Sequence, residues 1–226
     1  LNSFDKKYEK SFVKLGHYSN HPEKIKTFDQ ILYSGSLGYY FRNNLEDFPK
    51  KNYIKIPDKE INEGKVMLNI CKKNYKIGLS WKSFNNLYAN QKSLSLIDFN
   101  FLIQSKNLDF VNLQYGDVDK EINTYNKNSK SKIHTLPNID LFNDFIKIAA
   151  VLKNLDLFIS VSNSTAHLAG SLGVKTLLIK PFNQATFHYW NQPTNRTPWY
   201  ESIELISRSE LRDKEIFEKK VLSKLN

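Results

Sequence analysis

The chain has 226 residues, 40% of them hydrophobic, with 15 Phe and 12 Tyr, which is enough for one large domain or one and a half. Its formal charge is +10, but only four Arg occur (Arg42, Arg196, Arg208, Arg212) and the Lys residues are scattered, so the balance reads as a Lys-rich surface and no nucleic-acid partner is expected. The single cysteine, Cys71, excludes an internal disulfide framework and a multi-Cys metal site.

No stretch is apolar enough to span a bilayer, so at most peripheral membrane contact is expected. The opening LNSFDKKYEK has no signal-peptide pattern and no Met. A reducing, cytoplasmic setting fits, as does a chain that is a piece of something longer. Residues 10–57 alternate short apolar runs with turn residues; strands are expected at 11–15 and 27–32, and residues 1–57 read as the remnant of a second α/β domain. Residues 58–74 read as a helix or linker. From Tyr75 the rhythm is regular. Strands are expected at 76–81 and 110–114, helices at 96–104 and 117–126, and a short strand at 132–135. A helix is expected over 140–153, with Phe142, Phe145, Ile146, Ala149 and Leu152 on its apolar face. Then come a strand at 156–161, a buried helix at 165–172, a Gly173 stop and a strand at 174–179. A last strand, 203–206, closes a domain spanning 75–206, and residues 207–226 form a final helix capped by Ser209. Strands alternating with crossover helices define an α/β fold, a Rossmann-like, doubly wound parallel sheet.

The chemistry concentrates where strands give way to turns. Ser162-Asn163-Ser164-Thr165 follows a buried strand and opens a helix, so unpaired amides and a positive dipole end face the sheet's carboxyl edge. That arrangement binds phosphate; ordinary capping explains the same residues. His167 falls in the first turn, where the dipole favours neutral imidazole. It can donate to a ligand or pack against a loop. The loop after the first regular strand, from Ser80 and Trp81 onward, offers Lys82 or Lys92 to a diphosphate. Gln114 and Asp117 follow the second strand, where an acidic residue meets ribose hydroxyls or merely caps a helix. Residues 181–199 are rich in aromatic rings that either line a sugar pocket or tuck the loop onto its own domain. The five His (17, 21, 134, 167, 188) show no metal-ligand spacing, so no metal is expected. No GxGxxG, GxSxG or Walker pattern occurs.

The segments IGLSWKS, QKSLSL, FVNLQYGD, NDFIKIAAVLKNLDLFISVSNSTAHLAGSLGVKTLLIKP and PWYESIEL, in this order, resemble the C-terminal half of bacterial heptosyltransferase-like glycosyltransferases, in the variety often fused to tetratricopeptide repeats. The resemblance runs from Phe28 to Leu205. It implies a GT-B fold whose C-terminal, Rossmann-like domain binds a nucleotide diphosphate sugar as substrate, without a metal or other cofactor. It implies that Asn163, Ser164, Thr165 and Lys92 hold the donor diphosphate. His167, Ser162, Ser80, Trp81, Gln114 and Asp117 would lie near the donor sugar or nucleotide. The acceptor would be a glycan, a lipid-linked saccharide or a protein hydroxyl. The family's turn begins with Asp where this chain has Ser162. The Gly-rich loop of the N-terminal domain has no counterpart, so no catalytic base is assigned and a missing N-terminal domain or repeat region is expected. A second reading is a non-catalytic nucleotide-sugar-binding or scaffold module.

Overall fold

The computed structural model describes residues 36–48, 50, 52–84 and 87–225. Contacts divide the chain into two units, Leu1–Pro49 and Lys50–Asn226. The described part of the first unit holds helix α1 (Leu37–Phe41) and a 3-10 turn, Leu45–Asp47. Asp47 Oδ2 accepts from the amides of Asn43 and Asn44, at 2.9 and 2.8 Å, and so caps that turn. The strands expected at 11–15 and 27–32 lie outside the described residues.

The second unit runs α2 (Asp58–Met67), β1 (Tyr75–Ser80), α3 (Ala89–Lys92), α4 (Asn100–Ile103), β2 (Leu108–Asn112), α5 (Asp119–Asn128) and β3 (Ile133–His134). It continues through α6 (Phe145–Leu152), β4 (Leu157–Val161), α7 (Ser164–Ser171), β5 (Thr176–Ile179), β6 (Ile203–Ile206), α8 (Arg208–Arg212) and α9 (Lys214–Leu225). The six strands form one sheet in the order β3-β2-β1-β4-β5-β6, and every pairing is parallel. The fold is α/β and doubly wound. Every residue of β2, β4, β5 and β6 is buried, which is why these strands read as near-continuous apolar runs.

Each face of the sheet carries its own core. Ile77, Leu79 and Ile159 meet Phe99 and Leu102 of the β1–β2 connection, Ile122 of α5, and Phe217 and Val221 of α9. On the other face Val111 and Phe158 meet Ile148, Val151 and Leu152 of α6 and Ala169 of α7. Burying such side chains contributes roughly 1.5–3 kcal/mol each. Residues 58–67 are helical, and α2 crosses α6 closely: a Cβ at Gly64 would stand 2.4 Å from the Ala150 carbonyl carbon. Glycine is required there by approach alone.

Two expectations change on this face and at the chain's end. Phe142, Phe145 and Ile146 are 62%, 50% and 55% exposed rather than core-facing. The helix starts only at Phe145, because Asp140 Oδ1 accepts from the amides of Phe142 and Asn143 and holds a turn. Asp144 then caps α6 by accepting from Lys147 N. The buried stripe is Ile148, Ala149, Val151 and Leu152, one turn further on. The last helix is two helices. Ser207, not Ser209, caps α8 in a reciprocal box with Glu210, and the chain breaks at Asp213, whose Oδ1 accepts from Ile216 N and starts α9. Gly173 does take the left-handed stop, with φ +71°.

The chain leaves β1 toward β2 and β3, then returns to start β4 on β1's other side. The strand order therefore reverses between β1 and β4. A crevice at the carboxyl ends of these two strands is where open α/β sheets take ligands.

Candidate functional site

At the switch point Ser80 and Ser160 are register partners at the ends of β1 and β4. Asn163 follows β4 in extended conformation and caps α7, its Oδ1 accepting from Ala166 N at 3.1 Å. Its Nδ2 donates to Ser80 Oγ at 2.8 Å and to the Lys82 carbonyl at 3.3 Å. Ser80 Oγ donates onward to Gln114 Oε1 at 3.0 Å, and Lys82 N donates to the same oxygen at 2.6 Å. Gln114 is itself oriented, since its backbone N donates to Asn112 Oδ1 at 2.9 Å and its Nε2 to the Tyr115 carbonyl at 2.8 Å. The ends of β1, β2 and β4 are thus tied into one buried polar network, which fixes the turn that α7 grows from.

That turn leaves α7 open. Ser164 is exposed and Thr165 is buried beside it. Their amides precede the helix's internal ladder, and the one side-chain cap serves Ala166. Beside this opening lies a cavity of about 460 Å³ walled by Phe84, Tyr115, Phe142, Phe145, Ser164 and Thr165. Its rings are mutually packed, with Phe84–Tyr115 centroids 5.6 Å apart and Tyr115–Phe142 centroids 5.9 Å apart. Gly116 has φ +83°, and a Cβ there would stand 2.5 Å from the Phe84 ring, so glycine is needed both for the turn and for this wall.

Lys92 and His167 stand together near the same helix. Lys92 is only 6% exposed, at the last position of α3. Its ammonium lies 4.5 Å from the Phe187 ring centroid and 6.0 Å from that of Tyr88, and has no carboxylate among the described residues. Burial pushes its pKa down. Lys82, the other candidate, is instead paired with Glu121, which also accepts from Trp81 Nε1. Arg208 holds Lys92 in place from behind. Its guanidinium donates to the carbonyls of Gln91, Lys92 and Ser93 at 3.2, 2.8 and 3.2 Å, capping the end of α3.

His167 sits in the first turn of α7. Burial first, then the charges of Lys92 and His188, push its pKa down to about 4, so the imidazole is neutral at pH 7. Its Nδ1 lies 3.0 Å from Tyr200 Oη. Its ring packs among Tyr189, Trp190 and Tyr200, with centroids 4.9, 4.8 and 5.7 Å away.

The remaining candidates divide. Gln114 and Ser80 belong to the network described above. The Trp81 side chain is fully buried in the core and bonded to Glu121, so only its backbone is at the strand end. Ser162 is buried and its Oγ accepts from Trp190 Nε1 at 3.0 Å. That bond fastens the aromatic loop to the sheet. Asp117 is exposed beyond Gly116 and makes no hydrogen bond with the network. It does not cap α5, whose cap position is Val118. In the 181–199 loop Trp190 is fully buried and Tyr189 half-buried, while Phe182 and Phe187 are exposed, Phe187 over Lys92. Sequence reasoning missed Glu121, Arg208 and Tyr200. Each acts through a partner more than 30 residues away, and no local pattern marks such pairs.

No family model matches the chain. Protein FlbA of Caulobacter vibrioides is 29% identical over 184 residues, which is 79% of this chain and 30% of FlbA. Two solved structures share the fold. A glycosyl transferase family 9 structure from Veillonella parvula matches with TM-score 0.55 and 12% identity, over 76% of this chain and 53% of that one. The E. coli ADP-heptose lps heptosyltransferase II matches with TM-score 0.56 and 11% identity, over 82% of this chain and 57% of that one. The chain therefore spans little more than half of these structures and under a third of FlbA. At such identities the likeness is one of fold: this is the α/β architecture found in GT-B-like glycosyltransferases. Among the described residues no helix is long and apolar enough to cross a membrane.

Proposed function

We propose that residues 50–226 form the donor-binding half of a glycosyltransferase, which holds a nucleotide diphosphate sugar across the switch point while its sugar passes to a hydroxyl acceptor. The observation that carries this reading is Lys92: a side chain only 6% exposed, with no carboxylate among the described residues, whose charge acts on His167 of α7 at the carboxyl ends of parallel strands. A partly desolvated cation is stabilised when an anion joins it. The amides of Ser164 and Thr165, the dipole of α7 and Lys92 together supply positive potential for two phosphates without a metal. The cavity walled by Tyr115 and Phe142 offers ring faces to the nucleobase. Neutral His167 is suited to donating or accepting one hydrogen bond at the donor.

The chemistry is displacement at the anomeric carbon, with the nucleotide diphosphate leaving. This half's part is to stabilise the charge that builds on that leaving group. Losing one such donor should raise the barrier by about 2.7–4 kcal/mol. The acceptor is a glycan, a lipid-linked saccharide or a protein hydroxyl, and no residue described in this unit is assigned as its base.

One observation favours a second reading, a nucleotide-sugar-binding module without turnover. The turn carries Ser162, buried and bonded to Trp190, where the family has a carboxylate. Calorimetry with ADP, UDP and GDP tests both readings, which require binding of a nucleoside diphosphate and weaker binding of the monophosphate. Sugar transfer or donor hydrolysis by the full natural chain separates enzyme from module. Absence of any nucleotide binding overturns both.

A further inference from the structure

The opposite end of the sheet carries a second cluster that the donor site does not use. Cys71 lies in the loop before β1, Asp109 is the second residue of β2, and His134 ends β3. One ligand atom from each lies within 4.8 Å of the other two. Cys71 and Asp109 are buried and His134 is partly so. A thiol, a carboxylate and an imidazole from three separate segments converge at the amino-terminal edge of the sheet.

We propose that Cys71, Asp109 and His134 form a three-ligand Zn²⁺ site. The ligand types are those that Zn²⁺ takes, and its bonds of about 2.0–2.3 Å set ligand separations of roughly 3.3–3.7 Å in a tetrahedral shell. His134 Nε2 and Asp109 Oδ1 are already 3.1 Å apart, so a contraction of under about 1.5 Å brings in the thiol. The carboxylate is oriented for the task. Asp109 Oδ2 accepts from the amides of Lys72 and Lys73 at 2.6 and 2.7 Å, which leaves Oδ1 to face the imidazole. Such outer bonds are what hold metal-ligating carboxylates in place. Lys72 Nζ donates to the Asn69 carbonyl and Lys73 Nζ to those of Ser105 and Leu108, while the charges of Lys76 and Lys72 still act on Cys71.

The exchange balances in protons. A cysteine thiol ordinarily carries its proton at pH 7, so metal binding must displace it. Zn²⁺ forms a Zn–S bond as the S–H bond breaks, and the proton goes to solvent. A water completes the shell on the side where His134 is exposed. The bound ion ties the loop before β1 to β2 and to β3, an edge strand of only two residues.

The test is a titration of the metal-free full chain with Co²⁺, followed by displacement with Zn²⁺. The proposal expects one Co²⁺ per chain, a thiolate-to-cobalt charge-transfer band, proton release on Zn²⁺ binding and a rise in Tm. Cys71→Ser should remove the band, and His134→Ala should weaken binding by more than about tenfold. If a variant fails to fold, the unsubstituted chain still decides. Co²⁺ bound without a charge-transfer band, or no Tm change under excess Zn²⁺, overturns the proposal.

Discussion

Asn163 Nδ2 donates to Ser80 Oγ across 2.8 Å, joining the turn after β4 to the end of β1. The same side chain caps α7 through Ala166 N. One amide therefore sets both where the helix starts and where its open end points. Asn163→Ala removes the cap and leaves Ser80 short of a partner, so it should destabilise the domain by about 1–2 kcal/mol in urea unfolding. Nucleoside diphosphate affinity, read by calorimetry, should fall as well, because the turn loses its register.

Ser164→Asp separates stability from binding. A carboxylate in the first turn of α7 interacts favourably with the dipole, so stability should hold or rise by about 0.3–1 kcal/mol. The same charge repels a diphosphate, so binding of ADP or UDP should be lost. Thr165→Pro deletes one of the free amides at a first-turn position that tolerates proline. It should abolish diphosphate binding while circular dichroism stays close to that of the parent. Unchanged affinity in both variants would remove the site.

His167 gives a pH signature. Its pKa is about 4 in the folded chain and near 6.5 when unfolded, so between these values the unfolded state binds more protons. Stability must then fall as pH drops from 6.5 toward 4, by about 3 kcal/mol over the whole range. His167→Gln should flatten that part of the profile in chemical denaturation. The carboxylates Asp109, Glu204 and Glu210 have lowered pKa values, so their contributions begin to fade near their unfolded values, at the acid end of the His167 window, and are lost as pH falls further.

Much of this architecture was legible before the coordinates. Buried parallel strands such as 157–161 and 176–179 read as unbroken apolar runs, and Ser164 with Gly173 mark the ends of α7. What was not legible depended on distant partners. The fate of Lys82 and Trp81 is decided by Glu121, about 40 residues later, which pairs with one and accepts from the other. Of the two candidates, Lys92 is then the one without a carboxylate among the described residues. Phe142, Phe145 and Ile146 have helical spacing, but an aspartate turn at Asp140 delays the helix and turns these residues outward, Phe142 and Phe145 toward the cavity. The sequence leaves the aromatic loop two roles, sugar-facing or self-packed. Trp190 takes the second role through Ser162, while Phe187 stays beside Lys92.

Lys92→Met tests the central claim most directly. Removing an ammonium that desolvation disfavours, and that has no carboxylate among the described residues, should leave Tm level or higher. The account predicts, in the same protein, that calorimetric affinity for a nucleoside diphosphate drops at least about tenfold, roughly the 1.4 kcal/mol floor for one lost charge-assisted contact, while affinity for the nucleoside is unchanged. A Lys92→Met chain that is folded and binds the diphosphate as tightly as the parent would contradict it.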